Sequence, residues 1–336
     1  MQGEEKVDTD GGSKEEQMKR ITAALVACLA VTGLAQAQDY PNRAVRLIVP
    51  YAAGGAPDVF ARIIGQRLSD ALGQQFIVEN RPGAGGISAS EAVAKAAPDG
   101  YTLLVPDVPQ TAINPYMFSK LPYDPAKDFA PVSLIATIPL FLVTQPSAQV
   151  NTVAELIAAG KAAPGKMNYG SAGIGSLHHI LMESFKASLG LDIVHVPYKG
   201  SGQSTPAFIG GDLSMLVTAI AAIGPHVKAG KARLIAVTSS ARSPLAPDVP
   251  AVSETIPGYD FVSEIGLLAP AGTPQPVIAK LAAEVAKAVR HPDVVQRLTA
   301  LGAVPVGNTP EAYGEMMKRN LVRYAKAVKD SGARAD

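Results

Sequence analysis

The chain of 336 residues contains no tryptophan and one cysteine, Cys28, and aromatic residues make up only 5% of it. Cys28 falls inside an apolar N-terminal run that is expected to be removed. The mature chain then has neither disulfides nor thiolate chemistry available to it. Charge is sparse too: 18% of residues are charged and the formal net charge is +1. The first 37 residues hold four Lys/Arg and six Asp/Glu, which leaves 26 basic against 23 acidic residues, or +3, in the remainder. That balance offers no electrostatic footprint for nucleic acid. Beyond the N-terminus no stretch approaches the roughly 18 to 20 apolar residues that a membrane span needs. No tandem repeat and no low-complexity tract is present.

Catalytic and cofactor motifs are equally scarce. Gly165-Lys166 is followed by Met167, so there is no phosphate-binding P-loop, and no G-x-S-x-G elbow or H-E-x-x-H pair occurs. Gly173 and Gly175 invite comparison with a dinucleotide fingerprint, but its third glycine position is His178. Val194-His195 occupies the place where an acidic residue should end a strand. His179 and Glu183 stand at i, i+4 as an incomplete metal pair with no evident third ligand. A serine (Ser171 or Ser176) beside His178 leaves a hydrolase as a lesser alternative. No cofactor, metal or catalytic residue is expected.

A chain of this length implies two domains. Its start has the layout of a secretory leader: Met18-Lys19-Arg20, an apolar run from Ile21 to Leu34, and an Ala35-Gln36-Ala37 cleavage site. The mature protein is expected to begin at Gln38, outside the cytoplasm. Residues 1–17 are acidic and polar, and Met18 offers an alternative start. Leu25-Val26-Ala27-Cys28 also fits a lipid-modified signal, although the apolar run continues past it to the better A-x-A site.

Short apolar runs alternate with helical patterns, which predicts an α/β architecture with largely parallel strands. Strands are predicted at Val45–Val49, Phe76–Glu79, Tyr101–Val105, Met167–Tyr169, Ile193–Val196, Leu213–Thr218 and Leu234–Thr238. Helices are predicted at Asp58–Leu72, Ser88–Ala96, Ser176–Leu189, Pro276–Val289 and Pro310–Val328. Val132–Thr144 and Phe261–Ala269 are the candidates for crossings between lobes. The expected division is a leader at 1–37, one lobe of 38–137 plus 261–336, and a second of 138–260.

The informative features are two glycine turns between a strand and a helix. The first runs Tyr51-Ala52-Ala53-Gly54-Gly55-Ala56-Pro57-Asp58, with Asp58 placed as a helix cap. The second runs Gly170-Ser171-Ala172-Gly173-Ile174-Gly175-Ser176, with His178 in the helix's first turn. The first turn of a helix leaves main-chain N–H groups unpaired, its dipole favours anions, and glycines let a ligand oxygen approach. Such turns are also common in α/β domains for purely structural reasons. Ligands of open α/β sheets bind beyond the carboxyl ends of strands, which adds Asp107, Tyr198, Lys199 and Thr218. If the halves face one another, two amide-rich turns converge on one cleft suited to carboxylates.

Several stretches together resemble the Bug-type solute-binding proteins of tripartite tricarboxylate transporters. They are Tyr40-Pro41-Asn42-Arg43-Ala44-Val45-Arg46-Leu47-Ile48-Val49-Pro50 with its GGAPD turn, then Val78-Glu79-Asn80-Arg81-Pro82-Gly83-Ala84-Gly85-Gly86. Pro98-Asp99-Gly100-Tyr101-Thr102-Leu103-Leu104, Leu121-Pro122-Tyr123-Asp124-Pro125 and Val196-Pro197-Tyr198-Lys199-Gly200 follow in the family's order. The resemblance implies a type II periplasmic binding fold, with two lobes that close on a small organic acid, amino acid or aromatic acid. It implies that Tyr51–Asp58 holds one carboxylate, partly through waters, and that Ser171–Ser176 contributes from the other lobe. The loaded form, a monomer, would dock on membrane subunits; a sensor signalling to a membrane partner is the alternative. One departure is Pro106-Asp107, where the family often has a Gly-Asn-like pair. A carboxylate aimed into the cleft would repel an anion unless protonated or paired with Lys199, and so would select ligands bearing an amino or hydroxyl group.

Overall fold

The computed structural model describes residues 40–334. The predicted leader, including Cys28 and the cleavage site after Ala37, lies outside the described residues. From Arg43 onward the chain forms a single unit. Its strands are β1 (Val45–Val49), β2 (Phe76–Asn80), β3 (Thr102–Leu104), β4 (Phe129–Thr144), β5 (Asn168–Ser171), β6 (Val194–Pro197), β7 (Met215–Ala219), β8 (Arg233–Val237), β9 (Val262–Pro270) and β10 (Val304–Pro305).

The strands pair in the order β2-β1-β3-β9-β4-β7-β5-β6, with β8 and β10 also paired to β4. Each flank is parallel: β1 lies between β2 and β3, and β5 between β6 and β7. The centre is not, because β4 runs antiparallel to both β9 and β7. The expectation of largely parallel strands therefore holds only for the flanks. The chain crosses the middle as β4 and returns as β9, and a crossing and its return must run in opposite directions.

β4 serves both halves. Its residues Phe129 to Pro139 pair with β9, and Leu140 to Thr144 pair with β7 and β8. All nine residues of β9 are buried, which explains its near-continuous apolar run. The helix Ala56–Leu72 forms because Phe60, Ile63, Ile64 and Leu68 recur on one buried face. It ends at Gly73 (φ 70°), whose N–H closes on the Ser69 carbonyl.

One core joins Ile48, Leu104, Val93 and Leu134 to Tyr313 and Met317 of the C-terminal helix Pro310–Ser331. A second joins Tyr169, Leu142 and Val217 to Ile180, Phe185 and, from the same C-terminal helix, Tyr324 and Val328. That helix thus packs along both halves. The two parallel flanks place the turns after β1 and β3, and after β5, β6 and β7, at the carboxyl ends of their strands, where open α/β sheets bind ligands.

Candidate functional site

The turn after β1 is assembled from beneath by buried polar side chains. Gly55 is the N-cap of the helix Ala56–Leu72, with no side-chain cap, and Gly54 adopts φ 87°. Asp58, expected as the cap, is the third residue of the helix, within its first turn, and is 2% exposed. Its carboxylate reaches back to the Gly54 N–H at 2.8 Å and also accepts from Arg62 and from Asn80 Nδ2 at 3.0 Å. Burial opposes the charge on Asp58. Even so, hydrogen bonds from Arg62, Gly54 and Asn80 hold its pKa below the ordinary value. Asn80 Nδ2 bonds the Tyr51 carbonyl as well, at 3.0 Å. Asp58 is therefore the prop of the turn, and the Gly54 amide is already engaged. The Gly55 amide makes only a long contact, 3.4 Å, to Ala52. Among the described residues the exposed Ala53 amide has no protein acceptor.

Residues not singled out by sequence complete this side. Gln110 is 1% exposed, in the π-helical turn Pro109–Ile113 after β3. It donates to the Gly85 carbonyl at 2.8 Å and bonds the Tyr51 hydroxyl at 3.2 Å. Asn114 also donates to Gly85, at 3.0 Å. Tyr51, the Gly83–Gly86 turn and the segment after β3 thus form one polar network. Nothing local in the sequence marks it, because Gln110 and Tyr51 are 59 positions apart.

Asp107 departs from expectation. Its carboxylate accepts from Val108 N at 2.7 Å, Glu264 N at 2.9 Å and Ser263 Oγ at 2.8 Å. Burial pushes its pKa up, against the hydrogen bonds from Val108, Ser263 and Glu264. Lys199 is not among these partners and is itself exposed. The carboxylate ties β9 to the loop after β3 and does not pair with that lysine.

On the other half, β5 leads into a turn with Gly173 at φ 123° and Gly175 at φ 75°. Ser176 is the N-cap of the helix Leu177–Leu189: it accepts from His179 N and donates to the Gly173 carbonyl at 2.6 Å. Two predicted donors here are engaged internally. The Gly173 amide bonds Ser171 Oγ at 3.0 Å, and the Gly175 amide bonds His179 Nδ1 at 3.3 Å. Among the described residues the Ala172 and Ile174 amides have no protein acceptor. The donors available to a ligand are therefore the amides between the glycines, and the glycines shape the turn.

The remaining candidates fall into different surroundings. His178 keeps some solvent contact, but loss of hydration pushes its pKa down to about 4, so the ring is neutral at pH 7. Tyr198 packs on a second-half apolar cluster with Phe208, and its amide bonds the Ser171 carbonyl at 3.2 Å. Its own carbonyl lies 3.2 Å from where a Cβ on Gly173 would stand, so glycine is required there. Thr218 is fully buried on β7, its hydroxyl without a partner among the described residues. Met117 spans towards the second turn, 3.0 Å from a Cβ built on Gly175, and so links the segment after β3 to the turn after β5.

The alternative chemistries do not assemble. The partner of Ser171 is His195, at 2.6 Å, not His178, and Ser171 is fully buried. His179 and Glu183 are engaged by Gly175 and by Tyr169 and Lys186, respectively.

Two parallel half-sheets joined by a shared crossing strand, with amide-bearing turns at their strand ends, define a two-lobed solute-binding protein of the periplasmic type. Residues 60–332 match the family model for the tripartite tricarboxylate transporter family receptor. The chain belongs to that family, whose members are binding proteins and not enzymes. It is 36% identical to Protein BugT of Bordetella pertussis over 324 residues, covering 94% of this chain and 99% of that one. The solved structure of R. palustris Rpa4515 with adipate is 35% identical with a TM-score of 0.76, covering 87% of this chain and 98% of that one. MatC from Rhodopseudomonas palustris with bound malate is 34% identical with a TM-score of 0.73, covering 86% and 100%.

Proposed function

We propose that this protein captures a small carboxylate-bearing solute outside the cytoplasm and presents it to the membrane subunits of a tripartite tricarboxylate-type transporter. The observation that carries the reading is the pair of glycine turns after β1 and β5. Each opens a helix and each retains main-chain amides without a protein acceptor among the described residues, Ala53 in one and Ala172 and Ile174 in the other. Amides of this kind recognise an acid without a charged clamp, which agrees with related proteins that hold adipate and malate. The ligand set is Tyr51, Ala53 and Gly55 on one side and Ala172, Ile174, Ser176, His178 and Tyr198 on the other, with Gly54, Ser171, Gly173 and Gly175 shaping the two turns. Asp58 and Asp107 act as supports.

The lobes are 38–137 with 261–336, and 138–260. Supporting that division, β4 changes partners between Pro139 and Leu140. Closure is a hinge motion about β4 and β9 that leaves the loaded form for the transporter to recognise. The protein acts as a monomer, exported by a leader cleaved after Ala37.

The test is native mass spectrometry of the purified protein followed by a thermal-shift panel of organic acids that includes adipate and malate. A ligand at a hundred times its Kd should stabilise the protein by about 2.7 kcal/mol. No shift with any acid would refute the proposal. Ala53→Pro and Ala172→Pro each delete one donor. A hydrogen bond to a charged group contributes about 1.5–3 kcal/mol, so each variant should weaken binding roughly tenfold to a hundredfold by calorimetry.

A further inference from the structure

Beneath the turn after β5 three rings stack in a column. Tyr169 covers one face of His195, with centroids 4.9 Å apart and planes at 20°. His179 covers the other face at 4.1 Å and 17°. At the edge of the column the Tyr169 hydroxyl donates to Glu183 at 2.7 Å, and Glu183 pairs with Lys186 at 2.8 Å. His195 belongs to β6, Tyr169 to β5, and His179, Glu183 and Lys186 to the helix Leu177–Leu189.

The hydrogen bonds guide the assignment of the ring protons. Ser171 Oγ accepts the Gly173 N–H at 3.0 Å, so its one proton goes to an acceptor. Of the two within reach, His195 Nε2 at 2.6 Å is nearer than the Gly173 carbonyl at 3.3 Å. With the hydroxyl donating to the nearer of the two, His195 Nε2 is assigned as the acceptor and the ring's proton to Nδ1. The Gly175 N–H points at His179 Nδ1 at 3.3 Å, which places that ring's proton on Nε2. Both imidazoles act as bases towards the turn, one through Ser171 at its start and one at Gly175 near its end. A protonated ring could not accept either bond, and two charged rings 4.1 Å apart would repel.

We infer that His195 and His179 are positioning residues. As a stacked pair of neutral acceptors they hold the Ser171–Ser176 turn in the conformation that leaves the Ala172 and Ile174 amides for the ligand's carboxylate. The inference rests on the reading that this turn binds the acid. Loss of hydration favours the neutral rings and takes His195 down to about 4; the charge of Glu183 works against this and that of Lys186 with it.

Two substitutions at position 195 separate the acceptor from the stack. His195→Phe keeps a flat ring between Tyr169 and His179 but offers no acceptor, whereas His195→Gln offers a carbonyl near the place of Nε2 and no ring. Binding of adipate and of malate is measured by calorimetry on the full mature protein, and amide hydrogen exchange is followed across residues 171–176. His195→Phe should weaken binding at least tenfold and speed exchange at Gly173, with its melting temperature little changed, while His195→Gln stays within about threefold of wild type. Ser171→Ala removes the hydroxyl link without touching the rings. It should reproduce the Phe result, and it serves if His195→Phe folds poorly.

Unchanged affinity and exchange in His195→Phe and Ser171→Ala, alongside lost binding in Ala172→Pro, would overturn the positioning role while the turn remained a binding element. Unchanged affinity in Ala172→Pro, or no binding of either acid by wild type, would instead overturn the binding role of the turn and this inference with it.

Discussion

Gly86→Ala is expected to lower stability by about 2–4 kcal/mol and the melting temperature by about 5–10 °C, and to weaken acid binding at the same time. Gly86 holds φ 80°, a left-handed conformation that costs a residue with a Cβ on the order of 1 kcal/mol. Space is the larger obstacle. An added Cβ would stand 2.6 Å from Pro50 Cβ and 2.6 Å from Gln110 Nε2. Pro50 is a rigid ring at the end of β1. Gln110 cannot swing away freely, because its amide is fixed by the Gly85 carbonyl and the Tyr51 hydroxyl and its carbonyl accepts the Asp107 amide at 3.0 Å. Displacing Gln110 releases Tyr51, and with it the turn that carries Ala53, so the damage should reach the binding side. Urea denaturation and calorimetry with adipate and malate on the same variant check both halves; a variant that is destabilised yet binds normally would separate the network from the site. Gly85→Ala is the control for backbone strain alone: it shares the left-handed conformation, at φ 63°, but its Cβ would meet nothing closer than 3.4 Å.

The sequence revealed the strand–turn–helix units well because their signals are local. Val45–Val49 is observed as read, and the helices at Pro276–Val289 and Pro310–Val328 are longer by one or a few residues at their ends. Both glycine turns stand where the alternation of strand and helix put them. Among the described residues five α-helices were not read, the shortest of them Asn114–Met117. Val153–Ala162 carried a usable sign, since the Thr152 hydroxyl accepts the Glu155 amide at 3.1 Å in the first half of a capping box. Ser201–Gly210 and Ile220–Lys228 contain Pro206 and Pro225, and tertiary packing overrides their poor propensity. Pro292–Ala300 is separated from the helix before it by His291 alone.

The groups at the site that have partners the sequence did not suggest share one physical cause. Asp58, Asp107 and the Gly173 and Gly175 amides are expected at the ligand by residue type and spacing, and each has a protein partner. Their partners (Asn80, Ser263, Ser171 and His179) are brought in by the sheet and by the helix after the turn. Residue type and spacing tell where a donor or carboxylate lies, but only tertiary structure decides which of them is already satisfied.

Glu264→Gln is expected to raise stability by up to about 3 kcal/mol at pH 8 and by only about 1 kcal/mol at pH 5. Glu264 lies on β9, 6% exposed, and accepts from Asn320 Nδ2 at 2.6 Å. Burial is the main cause that lifts its pKa to about 7; the Asn320 bond and Arg323 work downwards, and the charges of Asp107 and Asp260 upwards. A carboxyl whose folded pKa exceeds its unfolded value binds more protons in the folded state between the two. Its contribution is therefore complete below the ordinary glutamate range and is lost as pH rises through about 7. Glutamine keeps an acceptor for Asn320 and never ionises, so the variant avoids that loss. His178 and His195, both depressed to about 4, act in the opposite sense: the folded state rejects protons that the unfolded chain accepts, and stability falls as pH drops from the ordinary histidine range towards 4. Wild type should therefore be most stable between these limits, near pH 6 to 7. Glu264→Gln should remove the decline on the alkaline side and leave the acidic side intact. Urea midpoints at pH 5, 6.5 and 8 for the two proteins measure this, and a difference that does not change with pH would show that Glu264 is charged, or uncharged, throughout.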